Sequence, residues 1–365
     1  MDKFDHNRVN VFPLRERKSL TQVEEIIIDP SAPTPPFPEG YTDQLDQCVS
    51  AVKTALKRKR SILLFYGAHL LRNGAALILE QMMTRGWVTH LATNGAGTIH
   101  DWEYAWLGKS TESVRENVPD GVFGTWDETG KHIHVALLAG GLEQRGYGSS
   151  LGSYIENDGT HLPSEEALVE AIQQQPTNPE NGPKAELLRA YPLLRDESFQ
   201  PGSIPHPWKK TSILAAAFRH QIPLTVHPGI GYDIIATHPI FNGAAIGRAA
   251  EMDFKAICQS IDELDGGVVL SIGSAIMAPQ VFEKALSCVN NVRIRDGRPT
   301  IKDHQIFIVD LQDGGQWDWT QGEPPKTNPA YYLRFCKSFA RMGGSMHYLQ
   351  CDNMVFLQNL YQSLL

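Results

Sequence analysis

The sequence lacks every compact metal or redox signature. Its five cysteines, at positions 48, 258, 288, 336 and 351, include no C-x-x-C pair, and no H-E-x-x-H stands anywhere. An odd number of widely spaced cysteines excludes a disulfide framework and reads as reduced, mostly buried small hydrophobes of a cytosolic protein. No apolar run approaches the roughly 18 residues of a membrane span, and no N-terminal segment has signal-peptide character. A soluble, cytoplasmic protein with no membrane partner is therefore expected. A basic excess is also missing: 33 Lys and Arg against 41 Asp and Glu leave a formal charge of −8. That balance excludes a general nucleic-acid binder, which needs clustered cations. The one dense basic run, Lys57-Arg58-Lys59-Arg60, reads as the solvated end of a helix. The glycine turns carry no G-x-G-x-x-G, so nothing supports an ordinary Rossmann dehydrogenase.

What the chain does have is length and alternation. Its 365 residues, 42% of them hydrophobic, suffice for one large α/β domain or two smaller units. Residues 1–40 are polar and end in the proline-rich stretch 30–38, a stiff connector that cannot be helical. We read them as an N-terminal arm lying across the surface or on a partner subunit, with 41–365 as a single α/β domain. Residues 41–60 carry apolar positions spaced for one helix face. Two units of strand, small-residue turn and helix follow across 61–103. A third apolar run at 132–139 is expected as a strand, ahead of the glycine-rich 140–148. Residues 164–174 read as helix, and the Pro-, Asn- and Gly-rich stretch 175–210 as a domain boundary or, preferably, an insertion or loop. Strands are then expected at 222–226, 267–272 and 305–310, with helices at 211–221, 241–264, 279–288, 331–341 and 353–364. The pattern predicts an α/β fold whose mainly parallel sheet carries helices on both faces.

A parallel sheet delivers ligand contacts just past its strand ends. Four turns stand there: Gly67-Ala68-His69, residues 93–97 (Thr-Asn-Gly-Ala-Gly), residues 227–233 (His-Pro-Gly-Ile-Gly-Tyr-Asp) and residues 271–275 (Ser-Ile-Gly-Ser-Ala). Any one glycine turn is as readily a plain strand-helix corner. Four in one sheet point to a dinucleotide or another phosphate ligand.

In order and content these turns resemble the deoxyhypusine synthase family, and the likeness spans most of residues 60–313. It rests on Gly67 with Asn73-Gly74 behind it, on the 93–97 turn with an acidic residue soon after, on the block 220–233, and on residues 266–273 (Gly-Gly-Val-Val-Leu-Ser-Ile-Gly). The resemblance implies NAD or NADP bound against Gly67, Ala68, Thr93, Asn94, Gly95 and Gly273, with Asp101 or Glu103 facing a ribose. It implies a homo-oligomer, a tetramer, and makes Asp233 the match of the carboxylate that holds an amine substrate. Two departures accompany it. Pro228 stands where the family has a second carboxylate, and Ile276 or Met277 where it has the imine-forming lysine. Only a primary amine can carry a carbonyl carbon as an imine, and Lys284 further along reads as an exposed helix lysine. The expectation is NAD-linked transfer or redox chemistry on a small amine or polar substrate, with Asp233, His227 and Glu103 as catalytic candidates and no lysine-imine step. The alternatives are a noncatalytic nucleotide-binding scaffold and a metal-dependent hydrolase.

That hydrolase would use His132 and His134, which share one face if they lie on a strand, together with His227. Hydrogen-bonded histidines are the preferred reading, with no metal expected. Asp101 and Glu103 also suit the first turn of a helix on stability grounds alone. Trp317 and Trp319 flank Asp318; they read either as edge packing or as the wall of a pocket for a cationic amine.

Overall fold

All five apolar runs at 61–66, 88–93, 222–226, 267–272 and 305–310 enter one sheet. In the computed structural model, which describes residues 4–195 and 200–365, they form β1 (Ile62–Tyr66), β2 (His90–Thr93), β3 (Leu224–Val226), β4 (Val268–Ile272) and β5 (Gln305–Asp310), joined at one edge by β6 (Ser345–Gln350). The spatial order is β3-β2-β1-β4-β5-β6, and every pairing is parallel. At the centre Leu64 pairs with Leu91 on one side and with Leu270 on the other. Every residue of β1, β2 and β4 is buried, as an all-parallel sheet covered on both faces requires. Leu63, Phe65, Val269 and Ile308 pack with Ile257, Phe282 and Phe339 in one core cluster, and their alternates Ile62, Leu64 and Leu270 are no more exposed.

Counted along the chain, the sheet starts at its middle. β1 leads outward to β2 and β3, and β4 then restarts beside β1 and leads outward the other way. This is the standard Rossmann order, reached without the G-x-G-x-x-G fingerprint, and β1 and β4 flank its topological switch point.

The chain divides into two units of similar size, each assembled from three separate segments. The sheet unit comprises residues 27–97, 220–227 and 254–365. The helix Thr42–Lys57 belongs to it, and the proline-rich stretch lies along its C-terminal helix Asn353–Leu364: Asn359 donates to the Pro35 carbonyl and Gln362 to the Pro30 carbonyl. The helical unit comprises residues 1–26, 98–219 and 228–253. Its helix Tyr147–Glu156 packs against Asp127–Leu142 and Ile213–Arg219. Among the described residues no helix is long and apolar enough to cross a membrane.

The structure corrects two sequence expectations and adds one strand. The run 132–139 is no strand but the middle of the helix Asp127–Leu142, where every residue from His132 to Gly141 is buried. A helix apolar all round lacks the stripe that separates it from a buried strand. Gly140 and Gly141 close that helix; a Cβ on Gly140 would overlap Ser150, and one on Gly141 the Arg248 guanidinium. The stretch 175–210 contains the helix Asn181–Leu194, with Pro192 inside it; its residues 196–199 lie outside the described residues. Strand β6 falls between the helices expected at 331–341 and 353–364, where no strand is expected, and only Met346, Tyr348 and Leu349 within it are well buried.

Candidate functional site

The residues expected to line a nucleotide, Gly67, Ala68, Thr93, Asn94, Gly95 and Gly273, all fall in the sheet unit, at the carboxyl ends of β1, β2 and β4. Backbone contacts knit these ends together. Gly67 N–H donates to the Ile272 carbonyl at 3.3 Å, and a Cβ on Gly67 would overlap the Gly273 carbonyl oxygen. Gly273 has φ +60°, which favours glycine. The Thr93 hydroxyl donates to the Tyr66 carbonyl at 3.0 Å, while the Thr93 carbonyl accepts the His227 N–H at 2.8 Å. Asn94 Oδ1 accepts Gly97 N–H at 3.0 Å and so caps the helix Gly95–Leu107. Gly97 itself lies against the Thr93 side chain, which leaves no room for a Cβ.

Asn353, first residue of the C-terminal helix, stands beside Gly273. Its Oδ1 is buried without a hydrogen-bond partner. A buried acceptor of that kind costs free energy until a donor arrives. Sequence reading missed this residue, since an Asn at a helix start looks like an ordinary helix-terminus residue.

His227, just past β3, ends a buried polar row within the same unit. Its Nε2 lies 3.1 Å from Thr225 Oγ1, which lies 3.0 Å from His90 Nε2, and His90 Nδ1 lies 2.7 Å from Ser260 Oγ. Burial pushes the His227 imidazole down to about 4, and burial with the neighbouring His227 takes His90 down to about 3. Both rings are therefore neutral at physiological pH. The row was hidden in sequence because its members come from two strands and a distant helix.

Asp101, Glu103 and Asp233 belong to the helical unit. Asp101 caps the helix Ile213–Arg219, accepting from Ser212 Oγ at 2.5 Å, Ile213 N–H at 2.9 Å and Leu214 N–H at 3.2 Å. Burial nevertheless raises its carboxyl to about 6. Glu103 meets Arg17 in a two-pronged ion pair, both bonds 2.8 Å, and accepts from Ser110 Oγ at 2.5 Å and Thr129 Oγ1 at 2.8 Å. Burial opposes its charge, but Arg17, His100 and Ser110 together outweigh burial and hold the carboxyl below its ordinary value. The ribose role expected of these two carboxylates gives way to structural ones, because internal donors occupy the oxygens. Asp233 is different. It is buried with one backbone donor, Gly229 N–H at 2.7 Å, and burial raises its carboxyl to about 6.

The other candidates resolve as follows. Residues two apart on a helix point about 200° apart, so His132 and His134 do not share a face. His132 Nδ1 lies 2.7 Å from Tyr154 Oη, and His134 Nδ1 lies 2.8 Å from the Gly130 carbonyl. The strand geometry behind the hydrolase reading gives way to the helix, and among the described residues no group of three or more His, Cys, Asp or Glu side chains is placed to hold a metal. Lys284 is an exposed helix residue paired with Glu283 at 2.6 Å.

No family model matches the chain, and no curated protein matches it. Solved structures do. They include ArgZ, an arginine dihydrolase from the ornithine-ammonia cycle in cyanobacteria, at 13% identity over 88% of this chain and 32% of that one, with a TM-score of 0.40. They also include AgrE in ternary complex with ornithine and NAD+, at 13% identity over 90% of this chain and 34% of that one, TM-score 0.42. A conserved protein of Methanococcus maripaludis S2 assigned to the LOR/SDH group matches at 12% identity over 97% of this chain and 74% of that one, TM-score 0.40. The chain thus spans about a third of the length of ArgZ and AgrE. These structures are ArgZ, AgrE and a LOR/SDH protein and not deoxyhypusine synthases, which corrects the family resemblance drawn from the turns. Glycine turns at successive strand ends belong to doubly wound sheets in general, so their order does not identify one family.

Proposed function

We propose that the sheet unit binds a dinucleotide of the NAD class at its switch point and that the chain supports transfer or redox chemistry on a small polar or amine substrate. The observation that carries this reading is the β3-β2-β1-β4-β5-β6 order, with Gly67 and Gly273 placed where the order reverses. Open sheets of this order take their ligands in that crevice. The residues present fit such a group: side-chain-free backbone at Gly67 and Gly273, a capped helix start at Gly95, and an unpartnered buried acceptor at Asn353 Oδ1. Asn94 stands at the end of β2, where an acidic residue commonly receives the ribose hydroxyls, and its amide suits either NAD or NADP.

When bound, the nicotinamide supplies hydride transfer. The chain's own part is to position and to move protons. His227, neutral and hydrogen-bonded through Nε2 to Thr225, is the proposed acid-base group of the sheet unit, with Thr225 and His90 fixing its ring. Within the helical unit, Asp233, raised to about 6, is a separate proposed proton-transfer group, suited to work near neutral pH. The similarity to AgrE, crystallised with ornithine and NAD+, suggests the substrate and cofactor classes to try first. Calorimetric titration with NAD+ and NADP+ tests the reading. Saturable binding of either, lost in the Asn353→Leu variant, supports it; no saturable binding of either by the folded protein sinks it.

A further inference from the structure

A cavity of the sheet unit, about 560 Å³, opens along edge strand β6 and the loop that follows β5. Aromatic rings and carboxylates line it: Tyr41, Asp313, Trp317, Asp318, Trp319 and Tyr348, with no lysine or arginine. The rings are fixed by their own polar atoms. Trp317 Nε1 donates to the Gly322 carbonyl at 2.9 Å, Trp319 Nε1 to the Gly314 carbonyl at 3.2 Å, and Tyr348 Oη to the Gln312 carbonyl at 2.6 Å. With those donors engaged by backbone, the rings offer a ligand apolar surface and π-electron density.

The charge of the cavity is negative and anchored. Asp318 accepts from Thr320 Oγ1 at 2.6 Å, Thr320 N–H at 3.1 Å and Gln321 Nε2 at 3.0 Å. These bonds hold its carboxyl below the ordinary value. Asp313 accepts Gly315 N–H through Oδ1 at 2.9 Å, leaving Oδ2 for a ligand. His347 brings no positive charge to offset them, since burial lowers its imidazole below the usual range.

We propose that this cavity binds an alkylammonium cation, its charge set against Asp313 and Asp318 and its aliphatic stem against Trp317 and Tyr348. Two attractions converge on such a ligand: carboxylate to ammonium, and cation to aromatic face. An anion meets like charge here, and a neutral alcohol of the same shape gains only the apolar contact. The site is independent of the nucleotide reading, since none of its residues lies at the switch point.

The test uses the full chain labelled with nitrogen-15 and two probes, n-butylammonium and 1-butanol. The indole N–H resonance of Trp317, assigned through Trp317→Phe, is followed during titration without nucleotide. Butylammonium shifts it saturably, and Asp313→Asn and Asp318→Asn each weaken binding by about 2- to 5-fold, the range of partly exposed ionic and cation-aromatic contacts. Asp313→Asn guards against loss of the loop, because Asp313 holds the fold through a single bond that an Asn oxygen also accepts. Equal affinity for butanol, no saturable shift, or unchanged binding by the double Asp313→Asn, Asp318→Asn variant overturns the proposal.

Discussion

Gly67 and Gly273 meet backbone against backbone where the sheet changes direction: the Cβ that any other residue would bring at 67 overlaps the Gly273 carbonyl oxygen. Neither neighbour can yield cheaply, because Gly67 N–H is bonded to Ile272 and Gly273 N–H to Val309. Gly67→Ala should therefore cost about 1–3 kcal/mol, the usual penalty of overpacking, and abolish nucleotide binding by spreading the two turns. Gly40→Ala, with open space around it, is the control. Urea unfolding with parallel calorimetry measures both effects; a Gly67→Ala protein with unchanged stability contradicts the packing argument.

Asp101 gathers three donors at the start of the helix Ile213–Arg219. Asp101→Ala leaves the Ile213 and Leu214 N–H groups buried and unpaired, at about 1–3 kcal/mol for each unsatisfied group. Asp101→Asn keeps one acceptor oxygen and should recover part of the loss. Chemical denaturation of the two variants should rank them Ala below Asn below wild type. If Asp101→Ala instead kept full stability and lost only nucleotide affinity, the carboxylate would face a ligand after all.

The sheet was largely legible in the sequence because parallel strands buried on both faces are written as short continuous apolar runs, as at residues 62–66 and 268–272. The chain lost that clarity where burial and strand character part company. The run 132–139 is apolar because its helix is enclosed on all sides, while β6 alternates weakly because it is an edge. Gly67, Thr93 and Gly273 could be picked out because their position after a strand end is local information. The roles of Asp101 and Glu103 could not: Glu103 is answered by Arg17, 86 residues away, and Asp101 by Ser212, 111 residues away. Asn353 and the His90–Thr225–His227 row likewise exist only once distant strands and helices come together.

The Arg17–Glu103 pair is a buried ion pair of the helical unit, its side chains 2% and 0% exposed. Arg17→Met removes the partner of a carboxylate that has no route to water, and should cost about 3–5 kcal/mol. Glu103→Gln added to Arg17→Met removes the stranded charge, keeps one acceptor oxygen for Ser110 or Thr129, and should restore a substantial part of that stability. A double-mutant cycle in urea reads the coupling directly. Strictly additive losses would mean that the pair is not coupled.

His90 contributes to the acid behaviour of the sheet unit, together with His227 and His304, which burial lowers to about 4. Its folded value of about 3 lies well below the ordinary 6.5, through burial and the nearby His227, which is itself lowered to about 4. As pH falls through 6.5 the unfolded chain takes up protons that the folded rings refuse. Stability contributed by the neutral imidazoles is therefore complete above about pH 6.5 and declines as pH drops toward the folded values. Asp101 and Asp233, raised to about 6 from 3.8, act in the opposite sense. They bind protons first in the folded state, and their contribution grows as pH falls from about 6 to about 4. The two effects overlap, so the net profile alone cannot separate them. His90→Asn does. Asn can hydrogen-bond to Ser260 from the place of Nδ1, gives up the bond to Thr225 and does not titrate, so the variant should be about 1 kcal/mol weaker near pH 7 yet lose less stability than wild type between about pH 6.5 and pH 4. Urea midpoints across that range measure the difference, and parallel profiles for the two proteins would exclude His90 as the source of the acid sensitivity.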